Sequence, residues 1–252
     1  VGQLEGARGD REIDATGFYV SPGFIDAHSH AAGGLVSSDR SHAHPLLAEG
    51  VTTVVINPDG GGPVDLAAQR AELMKDGLGI HVIQMAAHGA MRNEVMGMVD
   101  RLATKDELTR MKVLVRQAME NGAFGLSSGP FYPPGSYADT RELVELAQVA
   151  SEYGGIYTSH IRDESDYTIG LVSAVEEVIE ISRSADIPGV VTHIKALGPN
   201  VWGYSQAVVE RIKRAREEGV EIYTDQYPYL ASSTGLAPAL LPRWAQASGR
   251  DS

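Results

Sequence analysis

Seven short runs of β-branched and apolar residues, separated by helical patterns, limit the folds open to this chain more than any other feature. They are GFIDAH (23–28), VTTVVIN (51–57), GIHVIQMAAH (79–88), AFGLSSG (123–129), IYTSHI (156–161), GVVTHI (189–194) and EIYTDQ (221–226). Most are unbroken rather than alternating in polarity, as expected of parallel strands buried on both faces. The clearest helical pattern between them is TKDELTRMKVLVRQAMENG, which puts Leu108, Met111, Val115, Ala118 and Met119 on one stripe. Thr104 and Glu107 are spaced as a capping box, and Gly122 is placed to end the helix. A second helix is expected in DTRELVELAQVASEYGG, and others over 63–77, 166–186 and 203–218. Strand followed by helix, repeated in this way, predicts an α/β fold with a parallel sheet.

The histidines distinguish a barrel from an open doubly wound sheet. NPDGGGP (57–63) is the only glycine-rich turn near the start, and it has neither the G-x-G-x-x-G order nor a P-loop lysine. His28 and His30, His88, His160 and His193 fall at the ends of different predicted strands. In a barrel such ends converge on one mouth, whereas an open sheet spreads them along an edge. The expectation is a (β/α)8 TIM barrel over residues 21–252, incomplete because seven strands are counted and no eighth follows. Residues 1–20 read as the end of a small β-domain. An open barrel edge is an association hazard, so a homo-oligomer is possible.

Charge and composition remove several classes of function. A net charge of −12 argues against nucleic acid or an anionic membrane as partner. No apolar run approaches the roughly 18 residues of a membrane span, and the first residues lack signal-peptide character. With no cysteine, any metal is held by nitrogen and oxygen. This composition fits a cytoplasmic setting without fixing the compartment.

His28 and His30 are one residue apart, so on a strand both rings point to the same side and can face one ion. Alone, the pair is as readily two ordinary polar residues at a strand end. His160 and His193 shift that balance, because four converging imidazoles repel one another whenever protonated unless a metal holds them. Zinc is the metal such a sulfur-free set suits, as one ion or two.

SPGFIDAHSH resembles the first-strand motif of the amidohydrolase superfamily of metal-dependent barrel hydrolases, and TSHIRDES and VTHIKALG resemble its strand-five and strand-six histidine motifs. HGAMRNEVMG (88–97), GAFGLSSGPFYPPGSYADT (122–140) and DQYPYLASST (225–234) are more specifically similar to the D-aminoacylase branch, the N-acyl-D-amino-acid deacylases and related dipeptidases. The resemblance implies that His28, His30, His160 and His193 are metal ligands. Many deacylases of this branch place a metal-binding cysteine in the turn that here reads NPDGG, and Asp59 stands in that turn either as a ligand or as an ordinary Asp-Gly turn residue. The strand-eight aspartate, the family's general base, has no counterpart in these residues. By that expectation the chain as it stands binds metal weakly and is catalytically impaired.

The same resemblance places Lys195, Tyr132, Tyr227 and Ser233 at substrate contacts. An N-acyl amino acid carries a free carboxylate, which calls for a cation and hydroxyl donors. Arg162, two residues after His160, could also supply the cation. His88 and Arg92 are open between substrate-side and structural roles, His42 and His44 read as surface or helix residues, and His81 as structural. The implied reaction is cleavage of the amide C–N bond of N-acyl-D-amino acids or D-residue-containing dipeptides by a metal-activated hydroxide. The alternatives are a cyclic amidohydrolase of hydantoinase or dihydroorotase type, and a non-catalytic truncated relative.

Overall fold

The computed structural model describes residues 6–247. Within them the strands are β1 (Phe24–Asp26), β2 (Val51–Ile56), β3 (His81–Gln84), β4 (Ala86–Ala87), β5 (Gly125–Ser128), β6 (Ile156–Ser159), β7 (Gly189–Val191) and β8 (Ile222–Thr224). Each pairs with its neighbours in chain order, always parallel, as β1-β2-β3 and β4-β5-β6-β7-β8. β3 and β4 are two halves of the single run GIHVIQMAAH. They part at Met85, whose N–H bonds to Ile56 O at 3.2 Å, while Phe124 N–H reaches Gln84 O at 2.9 Å. The described residues therefore fill seven barrel positions of an α/β, TIM-type architecture.

The helices are α1 (Ala32–Leu35), α2 (His44–Ala48), α3 (Leu66–Met74), α4 (His88–Met96), α5 (Lys105–Glu120), α6 (Thr140–Ser151), α7 (Leu171–Ala185), α8 (Ser205–Glu217) and α9 (Leu236–Leu240). α5 begins on the expected capping box. Thr104 Oγ1 accepts the Glu107 N–H at 3.3 Å, and Glu107 Oε2 accepts the Thr104 N–H at 2.8 Å. Its apolar stripe buries Met111, Val115, Ala118 and Met119. The main core lies between β4–β8 and helices α4–α8, with Leu126, Leu143, Leu146, Tyr157 and Ile179 fully covered. Each such leucine contributes about 1.5–3 kcal/mol. A smaller cluster under β1–β3 holds Leu35, Val54, Ile56 and Leu73. No helix among the described residues is long and apolar enough to cross a membrane.

Burial on both faces, expected of most of the runs, fails at the outer strands. Phe24 and Ile25 on β1 are 60% and 64% exposed, and Tyr223 on β8 is also exposed. Each outer strand has one lateral neighbour among the described residues, so nothing covers its free side. Residues 6–23 form turns, bends and irregular, mostly exposed backbone without a strand. Residues 1–5, part of the stretch read as the end of a β-domain, lie outside the described residues.

Candidate metal centre

The ends of β1, β2, β6 and β7 carry the chemistry. β1 stops at Asp26, whose carboxylate accepts the His28 N–H at 3.1 Å, and Ser29 N–H then bonds to Val55 O at 2.9 Å. His28 and His30 thus stand just past the strand, in a bend that keeps the ladder going, rather than on it. Their rings converge all the same. His28 Nε2 lies 3.5 Å from Asp59 Oδ1 and His30 Nε2 3.3 Å from Asp59 Oδ2.

Asp59 is both a turn residue and a member of the cluster, so the two readings of NPDGG do not compete. Its φ of 56° and that of Asn57 at 62° lie in the left-handed region that Asn and Asp tolerate. The turn is held from below. Asn57 and Gln69 exchange side-chain hydrogen bonds at 2.8 Å, and Ser127 Oγ donates to Asn57 O at 2.6 Å.

His160 and His193 approach from the other side. His160 N–H extends the sheet ladder to Ser128 O at 3.0 Å, and Thr192 N–H does the same to Ser159 O at 3.0 Å. His193 follows with a φ of 36°, and the Asp225 carboxylate accepts its N–H. Asp59 Oδ1 is 3.9 Å from His160 Nδ1 and 3.5 Å from His193 Nε2. The His160 and His193 ring centroids are 4.5 Å apart, and those of His28 and His193 4.8 Å.

These contacts make two triads that share one carboxylate, His28/His30/Asp59 and Asp59/His160/His193, with donor atoms of each within 4.8 Å of one another. Four of the buried atoms have no hydrogen-bond partner: His28 Nε2, Asp59 Oδ1, and both ring nitrogens of His160. Buried polar atoms are rarely left so. Lone pairs from imidazole and carboxylate, converging and unclaimed, fit a divalent metal ion. Burial opposes the Asp59 charge, but His193, His28 and His30 outweigh it and hold this carboxyl far below the usual range. Burial pushes His160 down to about 4, which keeps it neutral. The same burial acts on His193, yet Asp59 and Glu164 lift it to about 9.

The cluster opens into a cavity of about 1220 Å³ whose wall includes Tyr132, Lys195, Tyr227 and Ser233. Tyr132 packs edge-on against the His160 ring at 4.6 Å, and its hydroxyl meets Thr234 Oγ1 at 3.2 Å. Burial raises the Tyr132 hydroxyl to about 12, so it stays a donor. Lys195 Nζ sits 5.4 Å above the Tyr227 ring.

Arg162 is the exception and a correction. It does not line the cavity. Its guanidinium turns to α7, donating to Glu177 from Nε at 2.9 Å and from Nη2 at 2.7 Å, and from Nη1 to Ser136 O at 3.3 Å. Its charge is already neutralised inside the fold. His88 and Arg92 also point away, both fully buried against Glu142, with His88 Nε2 2.8 Å from Glu142 Oε1. His42 and His44 are exposed, the latter opening α2, and His81 opens β3. Sequence reasoning passed over Glu164 and Asp225, which hold His193 by ring and backbone; the signal for Glu164 was its place four residues after His160 in TSHIRDES.

A parallel-stranded α/β barrel whose strand ends gather four imidazoles around one carboxylate presents a donor set that fits a divalent metal. The chain belongs to the Amidohydrolase family, whose model matches residues 11–218. It is 34% identical to the D-aminoacylase of Alcaligenes xylosoxydans xylosoxydans, over 94% of this chain and 52% of that protein. A solved D-aminoacylase, described for its binuclear metal centre, has a TM-score of 0.75 at 31% identity and covers 83% of this chain and 48% of its own. The N-acyl-D-glutamate deacylase of Bordetella bronchiseptica, solved with zinc and a phosphonate mimic of the tetrahedral intermediate, has a TM-score of 0.70 at 34% identity, covering 82% and 48%. The chain spans about half the length of the curated relatives it matches.

Proposed function

We propose that residues 21–252 form the barrel domain of a zinc-dependent hydrolase that cleaves the amide C–N bond of N-acyl-D-amino acids or D-residue-containing dipeptides. The observation that carries this reading is Asp59, a buried carboxylate shared by two imidazole pairs, where His28 Nε2, Asp59 Oδ1 and both His160 ring nitrogens have no hydrogen-bond partner. Likeness to a D-aminoacylase and to a zinc-bound N-acyl-D-glutamate deacylase supports the substrate class and the metal. One or two ions bound here would supply Lewis acidity and acidify a water.

The chain's own residues bind and orient. His28, His30, Asp59, His160 and His193 hold the ions. Lys195 offers the charge that a substrate carboxylate needs, and Tyr132, Tyr227 and Ser233 offer hydroxyl donors on the same cavity wall. The strand-eight aspartate of the family has no stand-in among the described residues.

The test is zinc content of the intact protein together with its turnover of an N-acetyl-D-amino acid, the L-enantiomer and a hydantoin. Bound zinc and preference for the D-amide are expected. A protein that holds no zinc at neutral pH, or that opens the hydantoin faster, overturns the reading.

A further inference from the structure

Glu164 is 5% exposed and touches three residues of the site at once. Its Oε1 accepts from Lys195 Nζ, lies 3.1 Å from His193 Nδ1 and stands 3.8 Å from His160 Nε2. We propose that Glu164 is a positioning residue that couples the substrate-holding lysine to the ion-holding imidazoles and sets the tautomer of His193. The inference rests on the metal-dependent reading above and deepens it.

The argument turns on a conflict at one atom. Lys195 Nζ is 2.9 Å from His193 Nδ1, and Glu164 Oε1 is 3.1 Å from the same nitrogen. Nδ1 cannot both accept from the ammonium and donate to the carboxylate. With Glu164 in place, the Lys195 ammonium and the His193 ring N–H both have a carboxylate to point at, so Nδ1 carries its hydrogen toward Glu164. Nε2, 3.5 Å from Asp59, is then the nitrogen that gives up its hydrogen and offers its lone pair to an ion. Without that carboxylate, the Lys195 ammonium is left beside Nδ1 and claims its lone pair. The ring hydrogen moves to Nε2, where it blocks the ion. Lys195 thereby changes from a substrate contact into a competitor of the metal.

The fold fixes Glu164 where this works. Asp163 braces the loop by accepting from Ser165 N–H at 2.9 Å, Thr168 Oγ1 at 3.0 Å and Gly170 N–H at 3.1 Å. Leu197 N–H donates to Glu164 O at 2.8 Å, which ties the segment after β6 to the one after β7. Lys195 Nζ also lies over the face of Tyr227, 5.4 Å from the ring centroid.

The experiment is zinc titration of the metal-free intact protein against a chromophoric chelator, for wild type, Glu164→Gln, Lys195→Met, the double variant and His193→Ala, with KM measured beside it. Glu164→Gln should weaken, by about 10- to 100-fold, the same zinc equivalent that His193→Ala removes. Adding Lys195→Met should restore most of that affinity while KM stays high, a recovery that a merely structural role does not produce. Should Glu164→Gln fail to fold, Glu164→Asp keeps the charge but shortens the reach, and a smaller loss of the same equivalent is expected. Wild-type zinc affinity in Glu164→Gln, or no recovery in the double variant, overturns the inference. A wild-type protein that binds no zinc overturns the underlying functional reading instead.

Discussion

A Cβ added at Gly129 would stand 2.2 Å from the carbonyl oxygen of Asp59. The end of β5 therefore passes the metal-type turn backbone to backbone, with no room for a side chain between them. Because the obstructing atom is backbone, Gly129→Ala must displace the turn. Overpacking of this kind costs about 1–3 kcal/mol. Activity should fall by roughly 100-fold, the scale set by a displacement of about 1 Å at a reacting group. Thermal melting and turnover of the same preparation check both numbers, and unchanged turnover would refute the prediction.

Asp59→Asn separates the turn from the charge. Asn adopts the left-handed conformation as readily as Asp, so the φ of 56° survives. The metal-free variant should melt within a few degrees of wild type yet hold at least one zinc fewer per chain. Elemental analysis after gel filtration decides it; full zinc content would remove Asp59 from the ligand set.

The two cations near His160 and His193 should be told apart by KM. Arg162→Ala leaves Glu177 buried without its partner and should cost about 3–5 kcal/mol of stability. Lys195→Met likewise removes a cation from a buried carboxylate, but His193 stays 3.1 Å from Glu164, so the loss of stability should be smaller. KM for a carboxylate-bearing substrate should rise by roughly 10- to 100-fold, the worth of a charged hydrogen bond. An N-acyl amine without a carboxylate should show no such rise. Equal KM changes for both substrates would place Lys195 outside substrate binding.

Glu142 makes acid stability readable. Burial works against its charge, but His88 and Arg92 more than compensate and hold it below its ordinary value of 4.5. A depressed folded pKa adds stability that is complete above about pH 4.5 and is lost as pH falls through the lower folded value. Glu142→Gln should be less stable than wild type by about 3–5 kcal/mol at pH 7, since Arg92 loses its buried partner. The gap should narrow below pH 4, as urea denaturation at several pH values will show; a gap independent of pH would contradict it.

Local pattern was enough for the strand order and for α3 and α5 to α8, whereas α1, α2, α4 and α9 were not among the expected helices. Hydrogen bonds within a helix and the apolar stripe that faces the core are set by residues three or four apart, so α5 and its Thr104–Glu107 cap were legible before any tertiary contact. The four histidines were legible because parallel strands in chain order deliver their C-terminal ends to one rim. Arg162 was misread because strand alternation stops at Ser159, and beyond it the chain turns its next cation toward α7. Glu164 went unnoticed because its partners lie 29 and 31 residues further on, in the segment after the next strand.

From its own order of residues the chain determined the periodicities, the caps and the chemical kinds of group available. Only the tertiary structure decided which of those groups meet: that Asp59 faces four imidazoles, that Arg162 is consumed by Glu177, and that Lys195 shares an oxygen with His193. The reason is range. Backbone geometry propagates a few residues along the chain, whereas the direction of a side chain past the end of a strand is set by whatever the fold packs against it.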